Sequence, residues 1–138
     1  MPLLVWNEKL ETGIQLMDNQ HKYWLFLMNK LHDAVQENID KILIEKIFSG
    51  MLDYTRIHFA DEERLLFENG YPDYDAHKKL HDNFIEQLEE LRKRLQQGQL
   101  SDWRSTLEII NLMSKWFREH IRKADQKYAA FLKEKGVN

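Results

Sequence analysis

The sequence predicts an all-α protein: an up-down-up-down antiparallel four-helix bundle with an irregular N-terminal arm and a short C-terminal helix. Glycine and proline are scarce, at 5 and 2 of 138 residues, which favours long helices with few breaks. Apolar side chains recur at steps of three and four along four stretches, as on helices that face the centre of a bundle. Short connections between such helices favour the up-down-up-down topology.

The limits of the elements follow from capping and stop signals. Asp18 and Ser101 can cap the first and fourth helices, the run from Asn69 to Asp73 stops the second, and Gly98 and Gly136 follow the third and the last. The predicted elements are an arm over 1–17, bundle helices over 18–38, 40–68, 74–97 and 101–121, and a tail helix over 122–135.

Composition indicates a single globular domain over residues 1–138, with 43% hydrophobic and 31% charged residues. A net charge of −3 supplies no basic field to recruit nucleic acid. The absence of cysteine excludes disulfides and thiolate ligands and fits a reducing compartment. The N-terminus lacks a basic segment followed by a long apolar run, and no stretch approaches the length of a membrane span. We therefore expect a cytoplasmic protein and leave its protein partner open.

Ligand-type side chains stand at helical spacings along the whole chain. His58 and Glu62 are four residues apart, as are His77 and His81, so each pair lies on one helical face. Imidazole and carboxylate together can bind iron, zinc or copper, and two bridging carboxylates would suit a metal pair. The candidate metal ligands are His21, His58, Glu62, His77, His81, His120 and Asp125.

The order of the helices predicts that these candidates meet. They lie at the start of the first helix, the end of the second, the start of the third and the end of the fourth, which all share one end of an antiparallel bundle. Asp125 follows His120 by five residues, which is not one face of an ideal helix, so we expect a bend or break after His120. His32 lies further along the first helix and is expected at the surface or its boundary.

The pattern of candidate ligands fits a histidine-rich metal pair better than three alternatives. These are a metal-free core, a zinc hydrolase site and a ferritin-like site. A single histidine in a core is usually a hydrogen-bonded core residue, but five with a glutamate at one level would need a large satisfied polar network. The motif HKKLH lacks the glutamate of zinc hydrolases, and no Glu-x-x-His motif of ferritin-like proteins stands at this level. Histidines outnumber carboxylates, which suits reversible binding better than oxidative chemistry.

If the metals are two octahedral irons that share a solvent-derived bridge, a count of their coordination positions predicts one vacancy. The pair offers about twelve positions. Five imidazoles, two bridging carboxylates and one shared oxo or hydroxo group would leave one of them open. Such a site could bind one small ligand on one metal.

The motifs together resemble the hemerythrins, and within them the single-domain bacteriohemerythrins, from about residue 6 to residue 128. They are Asp18-Asn-Gln-His21-Lys22, His58-x-x-x-Glu62, His77-x-x-x-His81 and His120-x-x-x-x-Asp125. The resemblance implies two iron ions (Fe2+/Fe3+) with an oxo or hydroxo bridge. His77, His81 and His120 would hold the saturated iron, His21 and His58 the iron with the vacancy, and Glu62 and Asp125 would bridge them.

The resemblance also implies a function: reversible binding of dioxygen for carriage, storage or scavenging, with no net reaction and hence no enzyme activity. Two alternatives stay open. One is an oxygen or redox sensor module that a partner protein reads, and the other is a di-iron enzyme acting on peroxide or nitric oxide.

An oxygen-binding centre needs an apolar pocket that keeps water and protons away. The apolar residues at helical spacing from the candidate ligands could form it, although each is equally well explained as ordinary core packing. Trp24 stands where the family often has leucine, so its larger ring is expected to narrow the pocket or to reshape the access to it. The candidate pocket residues are Trp24, Phe59, Trp116, Phe117 and Ile121.

Overall fold

The chain folds into four long helices whose packed faces enclose the core. The structure, a computed structural model, describes residues 3–99 and 103–138. No strand occurs among these residues, and the predicted all-α bundle with a short C-terminal helix is confirmed. None of the described helices is both long and apolar enough to cross a membrane. The elements are a 3-10 turn at Glu8–Leu10, α1 at Gln15–Gln36, α2 at Lys41–Glu68, α3 at Tyr74–Gln96, α4 at Trp103–His120, a π-helical turn at Ile121–Asp125 and α5 at Gln126–Glu134.

The connection between α2 and α3 is set by a glycine in the left-handed conformation. Gly70 has a φ of 68°, and the backbone N–H of Tyr71 reaches back to the carbonyl of Leu66 at 3.0 Å. This is the hydrogen-bond pattern of a Schellman motif, which a residue without a side chain adopts at least cost. At the other end of α2, a carboxylate oxygen of Asp40 accepts from the N–H of Ile42 at 2.7 Å and caps the helix.

Asp18 does not cap α1, contrary to the sequence-based expectation. The helix begins three residues earlier, at Gln15, and places Asp18 in its first turn. There the Asp18 carboxylate accepts the backbone N–H groups of Thr12 at 2.8 Å and Gly13 at 3.0 Å. Asp18 thus ties the end of the arm to α1, because these N–H groups precede the helix and need acceptors. The other expected cap, Ser101, lies outside the described residues.

Two apolar clusters fill the bundle, and they leave a polar layer between them. The larger cluster lies among α1 to α4 and includes Trp24, Phe59 and Phe117. The smaller one joins the start of α1, the end of α2 and α5, and includes Met17 and Tyr128. The candidate ligands lie between the two clusters, because the imidazoles contact rings of both.

We expected a bend or a break after His120. The structure instead has a continuous helix that widens locally at this point. The five residues Ile121–Asp125 form one π-helical turn between α4 and α5. In such a turn the hydrogen bonds link residues five apart rather than four. His120 and Asp125 therefore face the same side of a continuous helical segment.

His32 is buried, at 8% exposure, so the expectation of a surface or boundary position was wrong. The N-terminal arm lies against the same part of α1. The side chain of Asn29, one turn before His32, exchanges two hydrogen bonds with the backbone of Leu4, at 2.8 and 2.9 Å. The arm thereby covers a face of α1 that the helix pattern alone leaves at the edge of the core.

Two glycines, one inside α2 and one just after its end, provide a matched test of this backbone. Gly70→Ala places a Cβ at a φ of 68° and should lower the free energy of unfolding by about 1–2 kcal/mol. Gly50→Ala, at an exposed position inside α2 with open space around the new Cβ, should raise it by up to about 1 kcal/mol. Chemical denaturation measures both, and equal effects of the two substitutions would contradict the assigned ends of α2.

Candidate metal centre

The structure brings all seven sequence-predicted ligands together at one end of the bundle. All are buried, and His120 is the most exposed, at 7%. α1 supplies His21, α2 supplies His58 and Glu62, α3 supplies His77 and His81, and the α4 segment with its π-helical turn supplies the remaining two. Their nitrogen and oxygen atoms fall into a five-residue group and a three-residue group, which share Glu62.

The Glu62 carboxylate divides its two oxygens between two sets of imidazoles. Oε1 lies 2.7 Å from Nε2 of His77 and 3.0 Å from Nε2 of His81. Oε2 lies 3.5 Å from Nε2 of His58 and 3.7 Å from Nε2 of His21. One carboxylate therefore faces both sets at once.

Asp125 divides its oxygens in the same way. Oδ1 lies 3.3 Å from Nε2 of His77 and 3.2 Å from Nε2 of His120, whereas Oδ2 lies 3.2 Å from Nε2 of His21. The centre thus has a three-histidine side and a two-histidine side, with both carboxylates between them. The three-histidine side comprises His77, His81 and His120, and the two-histidine side His21 and His58.

Unsatisfied buried atoms indicate that this arrangement suits a metal. Nε2 of His21 and both oxygens of Asp125 are buried and, despite their proximity, form no hydrogen bond among the described residues. Nε2 of His81 and Nε2 of His120 face each other at 3.1 Å, although both are the atoms with which imidazole binds metals. Buried polar atoms without partners are costly, and metal ions between the two sides would satisfy them. The donor set therefore fits a pair of metal ions.

Two outer partners orient the imidazoles. Nδ1 of His58 donates to Oε1 of Gln20 at 2.7 Å, and Gln20 in turn donates to Asp61 at 2.8 Å. Nδ1 of His81 donates to Oε2 of Glu63 at 2.8 Å. With Nδ1 engaged by these acceptors, Nε2 is the atom of each ring that is left to bind a metal.

Sequence reasoning named none of these partners. Gln20 and Glu63 each stand next to a candidate ligand in the chain. This adjacency is the one feature of the sequence that could have indicated their role. Which neighbour reaches back to a ring depends on the packing of two helices, so spacing within one helix does not reveal it.

A buried tyrosine is the third residue that the sequence reasoning missed. The hydroxyl of Tyr128 donates to Oε2 of Glu62 at 2.9 Å, and the residue is fully buried. Burial and the facing Glu62 and Asp125 carboxylates hold the pKa of Tyr128 well above its ordinary value. Its position three residues after Asp125 could have indicated that it lies on the same helical face.

The carboxylates and imidazoles shift one another's pKa. Burial alone lowers the pKa of an imidazole, but the facing Asp125 and Glu62 carboxylates outweigh it and raise the pKa of His21 and of His77 to about 9. Burial and repulsion from His21 lower the pKa of His58 to about 3. Burial acts to raise the pKa of Glu62, but the facing imidazoles outweigh it and hold that pKa well below its usual range.

Asp125 is held in its charged form by a similar balance. Burial and the neighbouring Glu62 act to raise its pKa, but the imidazoles of His120 and His21 outweigh them and hold it below its ordinary value. Without a metal, the centre is thus two buried anions among partly protonated imidazoles.

Aromatic rings form the apolar wall of the centre on the side of the larger cluster. Phe59 stacks on His81 with 3.7 Å between ring centroids, and Trp116 stacks on His120 at 4.7 Å. Phe117 meets His21 edge-on at 5.8 Å. Three of the five candidate pocket residues therefore contact candidate ligands directly.

The remaining two candidate pocket residues are buried in the same cluster. Trp24 stacks on Phe117 at 3.7 Å, and its indole N–H donates to Thr55 at 2.8 Å. The Trp24 ring thus backs the pocket wall through Phe117. Ile121 is fully buried at the start of the π-helical turn.

A protein-family comparison matches this part of the chain. Residues 12–132 fit the family model described as Hemerythrin HHE cation binding domain. The match contains all seven candidate ligands together with Gln20, Glu63 and Tyr128.

Individual relatives and solved structures agree with the family match. The chain is 40% identical to a bacteriohemerythrin of Stenotrophomonas maltophilia, over 94% of this chain and 81% of that protein. It is 42% identical to one of Pseudomonas aeruginosa, over 93% and 80% of the two chains, and 30% identical to one of Methylococcus capsulatus, over 96% and 98%. A crystal structure of a wild-type hemerythrin superposes with a TM-score of 0.86 at 29% identity, over 93% of this chain and 96% of the other.

The pKa shifts predict how the metal-free protein responds to pH. The pKa of His21 and of His77 is raised from 6.5 to about 9 on folding, so their stabilising contribution is complete below pH 6.5 and is lost as the pH rises through 9. The thermal midpoint of metal-free protein should therefore fall between these pH values. Metal ions replace those protons, so metal-loaded protein should not show the fall. A metal-free midpoint that rises over this interval would contradict the assigned contacts.

Proposed function

The chain belongs to the hemerythrin family, and we propose that it is a non-haem di-iron protein that binds dioxygen reversibly, for carriage, storage or scavenging. The observation that carries this proposal is the division of Glu62 and Asp125 between a three-histidine side and a two-histidine side. Two bridging carboxylates with unequal sets of imidazoles suit two metals of unequal coordination. We also infer a cytoplasmic location, which the absence of cysteine supports.

The proposed roles follow the two sides of the centre. His77, His81 and His120 would hold one iron and His21 and His58 the second, with Glu62 and Asp125 shared between them. The second iron would have one protein ligand fewer, which would leave it open to dioxygen. When bound, the two irons supply a reversible exchange of two electrons with dioxygen.

The surrounding residues orient the ligands and exclude water. Gln20 and Glu63 keep the Nε2 atoms of His58 and His81 directed at the metals. Phe59, Phe117 and Trp116 cover the imidazoles with apolar rings, which keeps water from the reactive centre. Tyr128 remains a protonated donor to Glu62 because its pKa is well above the ordinary value.

Metal analysis combined with absorption spectroscopy tests the proposal. Purified protein loaded with ferrous iron should bind two irons per chain, and admitting and removing oxygen should change its colour reversibly. One zinc per chain without iron would overturn the proposal. Steady consumption of peroxide or nitric oxide in the presence of a reductant would favour a di-iron enzyme instead.

A pair of histidine substitutions tests the assigned ligands. His77→Ala should lose iron, and it should destabilise the metal-free protein by about 3–5 kcal/mol because buried Glu62 loses its partner at 2.7 Å. His32→Ala, a buried histidine on α1 that is not a candidate ligand, is the control and should keep both irons. Iron content and chemical denaturation are the measurements. Full iron content in the His77 variant would mean that the ligand assignment is wrong.

A further inference from the structure

A surface groove between α3 and α4 opens directly above the three-histidine side of the centre. It has a volume of about 430 Å³ and combines apolar walls with lysines at its rim. Leu112 and Leu80 are exposed leucines, at 67% and 43%. The residues that define this metal-end groove are Leu80, Leu112, Lys115, Trp116, Glu119, His120 and Lys123.

The metal-end groove reaches a candidate ligand without intervening backbone. His120 is the most exposed of the seven candidates, and it lines the groove. The ring of Trp116, half-buried in the same wall, lies nearly parallel to the His120 ring, at 10° and 4.7 Å. On α3, Phe84 stacks on the Trp116 ring at 3.9 Å and 3° and holds it in place. An aromatic path therefore joins the protein surface to the donor atoms.

The charged side chains that line the metal-end groove are Lys115, Lys123 and Glu119, two positive charges against one negative, although the chain as a whole carries −3. Glu119 is paired with Arg122 at 3.3 Å and with Lys123 at 3.4 Å. Lys115 and Lys123 are exposed and stand at the rim around an apolar floor.

We propose that the metal-end groove is the docking surface of an acidic one-electron carrier protein, and that electrons enter the oxidised centre through Trp116 and His120. This inference rests on the proposed di-iron function. Transient electron-transfer interfaces are small, below about 1,200 Å² in total buried area. A small groove with an apolar floor and a charged rim suits a contact of this kind. The positive rim selects and steers a carrier with a negative face.

The electron balance is simple. Each reduced carrier molecule is oxidised by one electron and leaves. Two encounters supply the two electrons that would reduce both irons from ferric to ferrous. A bridging oxo group would take up one proton from solvent, so the charge of the centre would fall by one. The step would restore protein that has lost its ability to bind oxygen by oxidation.

Charge-reversed variants test the docking surface. Lys115→Glu combined with Lys123→Glu reverses the rim, and Lys30→Glu combined with Lys46→Glu makes the same charge change at exposed positions on α1 and α2. Stopped-flow absorbance follows the reduction of oxidised iron-loaded protein by a reduced acidic [2Fe–2S] ferredoxin. At low salt the second-order rate constant should fall at least about tenfold in the rim variant and much less in the control. Equal rate constants in the two variants would overturn the docking surface.

Substitution of Trp116 tests the electron path separately. Trp116→Leu should lower the limiting first-order rate at saturating ferredoxin, whereas Trp116→Phe, which keeps an aromatic ring, should restore much of it. The rim variant should instead weaken binding and leave the limiting rate close to that of the unmodified protein. An unchanged limiting rate in Trp116→Leu would overturn the path through this ring.

Two further outcomes separate this inference from the function on which it rests. If the protein does not bind two irons, or if its absorption spectrum does not depend on oxygen, the proposed function itself is overturned. If the protein binds and releases oxygen, but the rim and Trp116 substitutions leave its rate of reduction by ferredoxin unchanged, only the docking proposal is overturned. A concentration-dependent dimer in sedimentation that the rim variant abolishes would assign the metal-end groove to a second copy of the chain, and would also overturn the carrier proposal.

Discussion

The structure depends on two carboxylates, Glu62 and Asp125, that are fully buried in the middle of a helical bundle. A buried anion without compensation is one of the most expensive features a protein can contain. Here each carboxylate is surrounded by imidazoles, and its two oxygens face different sets of them. That mutual compensation explains why polar residues from five helical segments converge at one level.

The apolar clusters above and below this polar layer exclude water from it. Phe59 and Phe117 close it on one side, and Tyr128 closes it on the other while donating to Glu62. Low access of water strengthens every electrostatic contact in the layer. The same exclusion would protect a reactive metal centre, so the stability of the fold and the proposed function draw on one arrangement.

The outer partners make the two sides of the centre unequal in a second way. His81, on the three-histidine side, donates to the carboxylate of Glu63, whereas His58, on the two-histidine side, donates to the neutral amide of Gln20. A carboxylate acceptor makes an imidazole a stronger electron donor than an amide does. The three-histidine side is therefore also the more electron-rich side, and it is the side that the metal-end groove approaches.

Sequence by itself determined the helical bundle and the set of candidate ligands at one of its ends. Spacings of three and four place the histidines on inward faces, and the antiparallel order of the helices brings the ends of four helices together. These are local periodicities and chain order, which one sequence contains in full.

The tertiary structure decided what depends on contacts between elements. A π-helical turn, rather than a break, aligns Asp125 with His120. The arm lies along the part of α1 that carries the buried His32, and its end is held by the Asp18 carboxylate, which does not act as a helix cap. Gln20, Glu63 and Tyr128 become partners of the centre only when neighbouring helices pack, because each reaches an atom on a different helix.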